Sequence, residues 1–369
     1  MKDKKLNIAF FGSSIVSAYW NGAATYYRGI VKALHNMGHN VTFYEPDIFE
    51  RQKHRDIEDP EWCEVIIYPE DKVNLRALLQ KARDEGDVII KASGVGAFDE
   101  FLEAEVAAMK SEDNLVIFWD VDAPATLDRL QEHPSDSFKE LIPQYDFILT
   151  YGGGQPVIDA YLQYGAQKCV PIYNALDTDT HFPVSPNENF NATLAFLGNR
   201  LPDRERRVEE FFIKAAQNLP EEKFLLGGSG WSDKSLPENI NYVGHVYTKD
   251  HNAFNSTPRA VLNISRDSMA RYGFSPATRV FEAAGAAACI ITDYWKGIET
   301  FFEPDKEILV VKDGNEVKDI LASLTPEKAK QIGEAAHKKV LNAHTYTHRA
   351  KLLEEVISNK LETSSKISG

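Results

Sequence analysis

The chain has 369 residues, enough for two domains of ordinary size, and its 43% hydrophobic and 26% charged residues describe a folded globular protein. A formal charge of −14 argues against a nucleic acid or an anionic membrane as a partner held by general attraction. Cys63, Cys169 and Cys289 stand far apart without metal-ligand spacing, the N-terminus lacks a signal-peptide pattern, and no run of about 18 apolar residues spans a membrane, which predicts a cytoplasmic protein.

Through the first half, apolar runs alternate with helical patterns. Strands are predicted at 7–12, 41–44, 88–91, 115–119 and 147–151, with helices at 25–37, 75–84, 100–110 and 156–164. Such alternation implies a parallel sheet covered by helices on both faces. The first strand leads into Gly12-Ser13-Ser14 and then Asn21-Gly22-Ala23-Ala24, with no G-x-G-x-x-G turn, which counts against an NAD or FAD enzyme. Asn21 and Gly22 form either a glycine-bearing turn able to approach a ligand or a plain surface loop. Trp119-Asp120-Val121-Asp122 sets an Asp-x-Asp at the C-terminal end of a strand, the ligand-binding side of such sheets. Asp122 is a candidate to bind hydroxyl groups or act as a general base, with a loop-capping aspartate as the alternative; metal binding is the weakest reading. Gly152-Gly153-Gly154 permits close backbone approach or serves as a connector.

Residues 173–189, rich in Asp, Pro and Asn, break the periodicity and read as an interdomain linker. A second series follows, with strands expected at 193–197, 224–227, 242–243, 260–263, 289–292 and 308–311, and helices at 208–216 and 278–287. The predicted fold class is α/β: two doubly wound Rossmann-like domains facing a cleft. Their expected bounds are 1–172 and 190–345, with a C-terminal helix and polar tail at 346–369.

The segment from Arg271 to Gly285 reads as a tight glycine turn running into a helix, Ser275 at the N-cap and Pro276 at the first helical position. A helix start offers unpaired N–H groups and partial positive charge to a phosphate. Arg279 and Glu282, three apart, suit a nucleotide diphosphate: a fixed cation near the phosphates and a carboxylate for ribose hydroxyls. The alternative is an amphipathic helix with a surface Arg–Glu pair. Gly227-Gly228-Ser229-Gly230-Trp231 either admits a nucleotide or packs, and His344 and His348, four apart on an expected helix, read as packed or capping residues rather than metal ligands. No Gly-x-Ser-x-Gly elbow, P-loop or zinc motif occurs.

Three segments together resemble group 1 glycosyltransferases of the GT-B fold. They are Val170-Pro171-Ile172-Tyr173-Asn174-Ala175-Leu176-Asp177 through His181-Phe182-Pro183, Leu197-Gly198-Asn199-Arg200-Leu201-Pro202-Asp203-Arg204, and Gly273–Glu282 with Gly285. Arg279-Val280-Phe281-Glu282-Ala283 and His344-Thr345-Tyr346-Thr347-His348-Arg349 are similar, more closely, to the CgeB-type spore-maturation glycosyltransferase-like family. The resemblance implies a nucleotide-diphosphate sugar as donor substrate, no cofactor, no metal, and retention of configuration. It also implies an unknown carbohydrate, lipid or protein acceptor. Arg204, with Arg200 second, is expected on the donor diphosphate, Glu282 on the ribose, and Gly273, Phe274 and Ser275 around the sugar; Asn21 and Gly22 are expected to line the acceptor side. Two departures stand out: Ala175 replaces the usual glycine, and Phe274 stands where many group 1 enzymes carry the first of two glutamates. A non-catalytic nucleotide-sugar binder or assembly protein, or an epimerase on the same fold, is the alternative.

Overall fold

The computed structural model describes residues 5–19 and 21–367. The chain divides into two compact units, Met1–Tyr173 with Tyr346–Gly369, and Asn174–Thr345.

In chain order the first unit holds β1 (Asn7–Phe11), α1 (Ala24–Asn36), β2 (Asn40–Pro46), β3 (Glu64–Tyr68), α2 (Lys72–Glu85), β4 (Val88–Ala92), α3 (Asp99–Ala107) and β5 (Leu115–Asp120). It continues with α4 (Ala123–Glu132), α5 (Phe138–Leu141), β6 (Phe147–Thr150), α6 (Gly154–Gln163) and β7 (Cys169–Pro171). The seven strands are parallel in the order β3-β2-β1-β4-β5-β6-β7. Ile8 of β1 faces Val41 on one side and Val88 on the other, so the strand order reverses at β1. Buried on both faces, β4 (VIIKA) and β5 (LVIFWD) are near-continuous apolar runs, as interior parallel strands must be. The expected strands all form. β3 and β7 were not anticipated: both are edge strands, β3 with Ile67 exposed and β7 only three residues long, ending at Pro171.

The second unit runs β8 (Leu194–Leu197), α7 (Pro202–Val208), a π-helical turn (Glu209–Ile213), α8 (Lys214–Asn218), β9 (Phe224–Gly227), β10 (Ile240–Gly244), α9 (Thr248–Ser256) and β11 (Ala260–Asn263). Then come α10 (Asp267–Tyr272), α11 (Thr278–Gly285), β12 (Ile290–Asp293), β13 (Leu309–Val311), α12 (Gly314–Ser323) and α13 (Pro326–Ala343). Its six parallel strands are ordered β10-β9-β8-β11-β12-β13, with Phe196, Phe212, Phe224, Leu262 and Ile291 in one core. From Asn174 on, the stretch expected as a linker belongs to this unit. Leu176 bridges Thr345, and Gly285 lets the strand pass α11, since a Cβ there would meet Leu176 Cδ1 at 2.4 Å and the His181 carbonyl at 3.0 Å.

The final helix, α14 (Tyr346–Ile367), belongs to the first unit. Ala350, Leu353 and Ile357 line its buried side, and Gly29 of α1 leaves room for the Tyr346 ring, 2.3 Å from where a Cβ would sit. His344 and His348 are therefore not on one helix: the extended pairing of Thr345 breaks the chain between them. The His344 ring packs instead among Phe281, Phe301 and Phe302.

Candidate functional site

Strand β8 is central in the second sheet, and its C-terminal end organises the site. Phe196 is fully buried there, and two guanidinium groups lie over its ring, Arg204 from α7 at 5.8 Å and Arg279 from α11 at 5.9 Å. Cation–π attraction strengthens as both partners leave water. Arg204 also donates from Nη2 to the Asn199 carbonyl at 2.6 Å. Gly198 makes the stack possible, because a Cβ there would sit 2.9 Å from both Arg204 Nη2 and Phe196 Cζ. Arg279 forms no ion pair among the described residues; burial lowers its pKa, and Glu282 one turn on opposes that shift.

The loops after β8 and β9 lock together beside this stack. Trp231 Nε1 donates to the Gly198 carbonyl at 2.7 Å, and the Ser229 amide donates to Asn199 Oδ1 at 2.9 Å. Gly228, at φ +116°, lies so close that a Cβ would meet the Gly198 oxygen at 2.3 Å. Trp231 is fully buried and packs rather than offering a stacking face.

The neighbouring arginines separate by their partners. Arg200 pairs with Glu205 at 2.8 Å and with both oxygens of Asp233 at 2.9 and 3.0 Å, which raises its pKa and leaves it in a surface network. Arg207 reaches the buried Asp293 at the end of β12, while Arg206 is exposed. Burial pushes the Asp293 pKa up and Arg207 opposes the shift.

Helix α11 begins at Thr278, where the periodic pattern placed it and two residues after the start that Ser275-Pro276 suggested, capped by Ala277 in extended geometry. Ser275 is not the cap because its hydroxyl turns back to the Gly273 carbonyl at 2.9 Å. Gly273 (φ +69°) and Phe274 (φ +47°) are both left-handed, and Gly297 leaves space for the Phe274 ring. The Gly273 amide donates to Met269 O at 3.0 Å and the Phe274 amide to Lys296 O at 2.6 Å. Those two amides are thus already engaged within the loop.

Glu282 lies half-buried on α11 and acts on His251 of α9. Burial lowers the His251 pKa; Glu282 raises it, whereas His181, 6.3 Å away ring to ring, and Arg279 lower it further. The pairing of His181 with His251 had no signal in the sequence, since the rings come from the segment before β8 and from α9.

In the first unit, Asn21 is buried and clips its loop, accepting from Ser13 Oγ at 2.9 Å and donating to the Ser14 and Ser17 carbonyls at 2.8 and 3.0 Å. Gly22 is exposed with open space where a Cβ would stand. In the Asp-x-Asp, Asp120 faces inward and accepts from Ser93 Oγ (2.8 Å), Thr126 Oγ1 (3.1 Å) and Tyr161 OH (2.5 Å). Asp122 is exposed at the N-cap of α4, its amide donating to Asp120 Oδ1 at 3.0 Å. The two carboxylates therefore do not point the same way.

A family model described as glycosyl transferase-like matches residues 204–355, a stretch that includes Arg204, Arg279 and Glu282. Among solved structures, HepE of Anabaena in complex with UDP-glucose is similar with a TM-score of 0.65 at 13% identity, over 96% of this chain and 100% of that one. A glycosyltransferase of Rickettsia africae gives 0.69 at 12%, over 96% and 98%. Sucrose-phosphate synthase of Thermosynechococcus elongatus gives 0.65 at 14%, over 97% and 100%. No curated protein matches the chain. At these identities the likeness defines the fold: the two parallel sheets with flanking helices are the GT-B architecture.

Proposed function

We propose that the protein is a glycosyltransferase of the CgeB type that takes a sugar from a nucleotide-diphosphate donor. Arg204 and Arg279 hold the diphosphate and Glu282 accepts the ribose hydroxyls. The observation that carries this reading is the pair of guanidinium groups over one buried ring, Phe196. Negative charge grows on the leaving diphosphate as the glycosidic bond breaks, and fixed cations beside a helix start stabilise it without reorganising. The reading is supported by the glycosyl transferase-like match over 204–355 and by the UDP and UDP-glucose bound to HepE. Arginine neutralisation makes the reaction metal-independent, and retention of configuration follows the family resemblance. The acceptor side falls to the first unit, with Asp122 as the exposed carboxylate.

Phe274 favours a second reading, a nucleotide-sugar binder without turnover, because it brings no carboxylate to the sugar and its amide is occupied. A thermal-shift screen with UDP, GDP, dTDP, ADP and NAD in EDTA separates these. One nucleoside diphosphate is expected to stabilise wild type and not R204Q. Incubation with the matching nucleotide sugar and candidate acceptors then shows transfer, or binding alone. Stabilisation by NAD only, or by none, overturns both readings.

A further inference from the structure

Two buried cations of the first unit, Lys91 and Arg51, differ in how their charge is met. Lys91 of β4, fully buried, pairs with Asp99 at 2.7 Å and Glu103 at 3.3 Å. Arg51, 5% exposed, forms no ion pair among the described residues. Its Nη1 donates to the Ser13 carbonyl at 3.0 Å, its guanidinium lies 5.1 Å over the Phe49 ring, and its Nε has no hydrogen-bond partner among the described residues. The carboxylate that acts most on it is Glu45, which itself accepts from Ser14 Oγ, Gln52 Nε2 and the Ile15 amide at 3.0, 2.6 and 2.7 Å. A buried charge without a close counter-charge is strongly destabilising, and the group that relieves it is an anion.

A second orphan sits at the same end of the sheet. Tyr68 closes β3, is 1% exposed, and its hydroxyl has no hydrogen-bond partner among the described residues. Arg51 follows β2 and the Ser13 loop follows β1, so all three lie where β1, β2 and β3 end, the ligand side of a doubly wound parallel sheet. Asn21 fixes the Ser13 loop through three hydrogen bonds and is a positioning residue for the Ser13 carbonyl.

We propose that Arg51, assisted by Tyr68 and the Ser13 loop, binds the oxyanion of a charged small molecule, a phosphate or a carboxylate. If the transferase reading holds, on which the word acceptor rests, this molecule is the acceptor, and the enzyme glycosylates an anionic compound. Guanidinium pairs with either anion through two parallel hydrogen bonds, and the tyrosine hydroxyl donates a third.

Calorimetric titration with a hexose 6-phosphate, a hexuronate and the uncharged hexose tests this, with saturating nucleoside diphosphate present to fill the Arg204 site. At least tenfold tighter binding of a charged sugar is expected, and the better of the two identifies the anion. R51M loses that preference while binding the nucleoside diphosphate as wild type does. Y68F loses part of it yet folds with undiminished stability, because the hydroxyl it removes has no protein partner. If R51M fails to fold, an unchanged preference in Y68F overturns the proposal. So does a wild type indifferent to charge, or a preference abolished by R204Q and kept by R51M. If no nucleoside diphosphate binds, the transferase reading falls, while the comparison of R51M with R204Q still decides the anion site.

Discussion

Gly198 carries no side chain where a Cβ would stand 2.9 Å from both Arg204 Nη2 and Phe196 Cζ. One methyl group there obliges Arg204 to leave the ring, so G198A is expected to weaken nucleoside diphosphate binding roughly tenfold, the size of one charge-assisted hydrogen bond. Calorimetry on a variant whose circular dichroism matches wild type checks it. His251 yields a pH prediction. Its folded pKa lies below the 6.5 of the unfolded chain because it is buried. As pH falls through 6.5 the unfolded state takes up a proton that the folded state refuses. Stability present above that pH is thus lost as pH falls toward the folded pKa. Urea midpoints between pH 7.5 and 5.5 should fall less in H251N than in wild type, and equal slopes would remove His251 from the account.

At the scale of elements, the readable parts are those where packing and local chemistry agree. β4 and β5 are near-continuous apolar runs between turns, and α1 keeps its helical period, so each was legible in the sequence. β3 and β7 were not, because an edge strand needs neither continuous hydrophobicity nor a free N–H at every residue. Ser275-Pro276 carries the chemistry of a helix start, but the Ser275 hydroxyl has a closer acceptor in Gly273 O, and the helix begins at Thr278. Arg279 and Glu282 stand out in the sequence by charge and spacing, and Arg204 through the family resemblance. Phe196, which brings the two arginines together, reads only as a core residue. The return of α14 to the first unit was equally hidden. Its packing predicts that Leu353→Ala, at a fully buried position, costs about 2–5 kcal/mol in urea unfolding, the range for a buried leucine. A loss under about 0.5 kcal/mol would mean that α14 is not docked as found.

For the whole molecule, net charge and site charge point in opposite directions. A protein of formal charge −14 repels a nucleotide diphosphate at long range, so the proposed capture depends on local cations. Lowering ionic strength is therefore expected to slow association, since salt screens the overall repulsion more than the short-range contacts. Stopped-flow association rates at two salt concentrations check this, and a rate that instead rises as salt falls would contradict it. Arginine, without a metal ion, is proposed to hold the donor diphosphate on the second unit. The most direct measurement is isothermal titration calorimetry of the stabilising nucleoside diphosphate against wild type and R204Q, both in EDTA. Binding to wild type in EDTA is expected, with at least a tenfold weaker affinity in folded R204Q. Equal affinity for the two proteins, or binding that appears only when Mg²⁺ is restored, would contradict it.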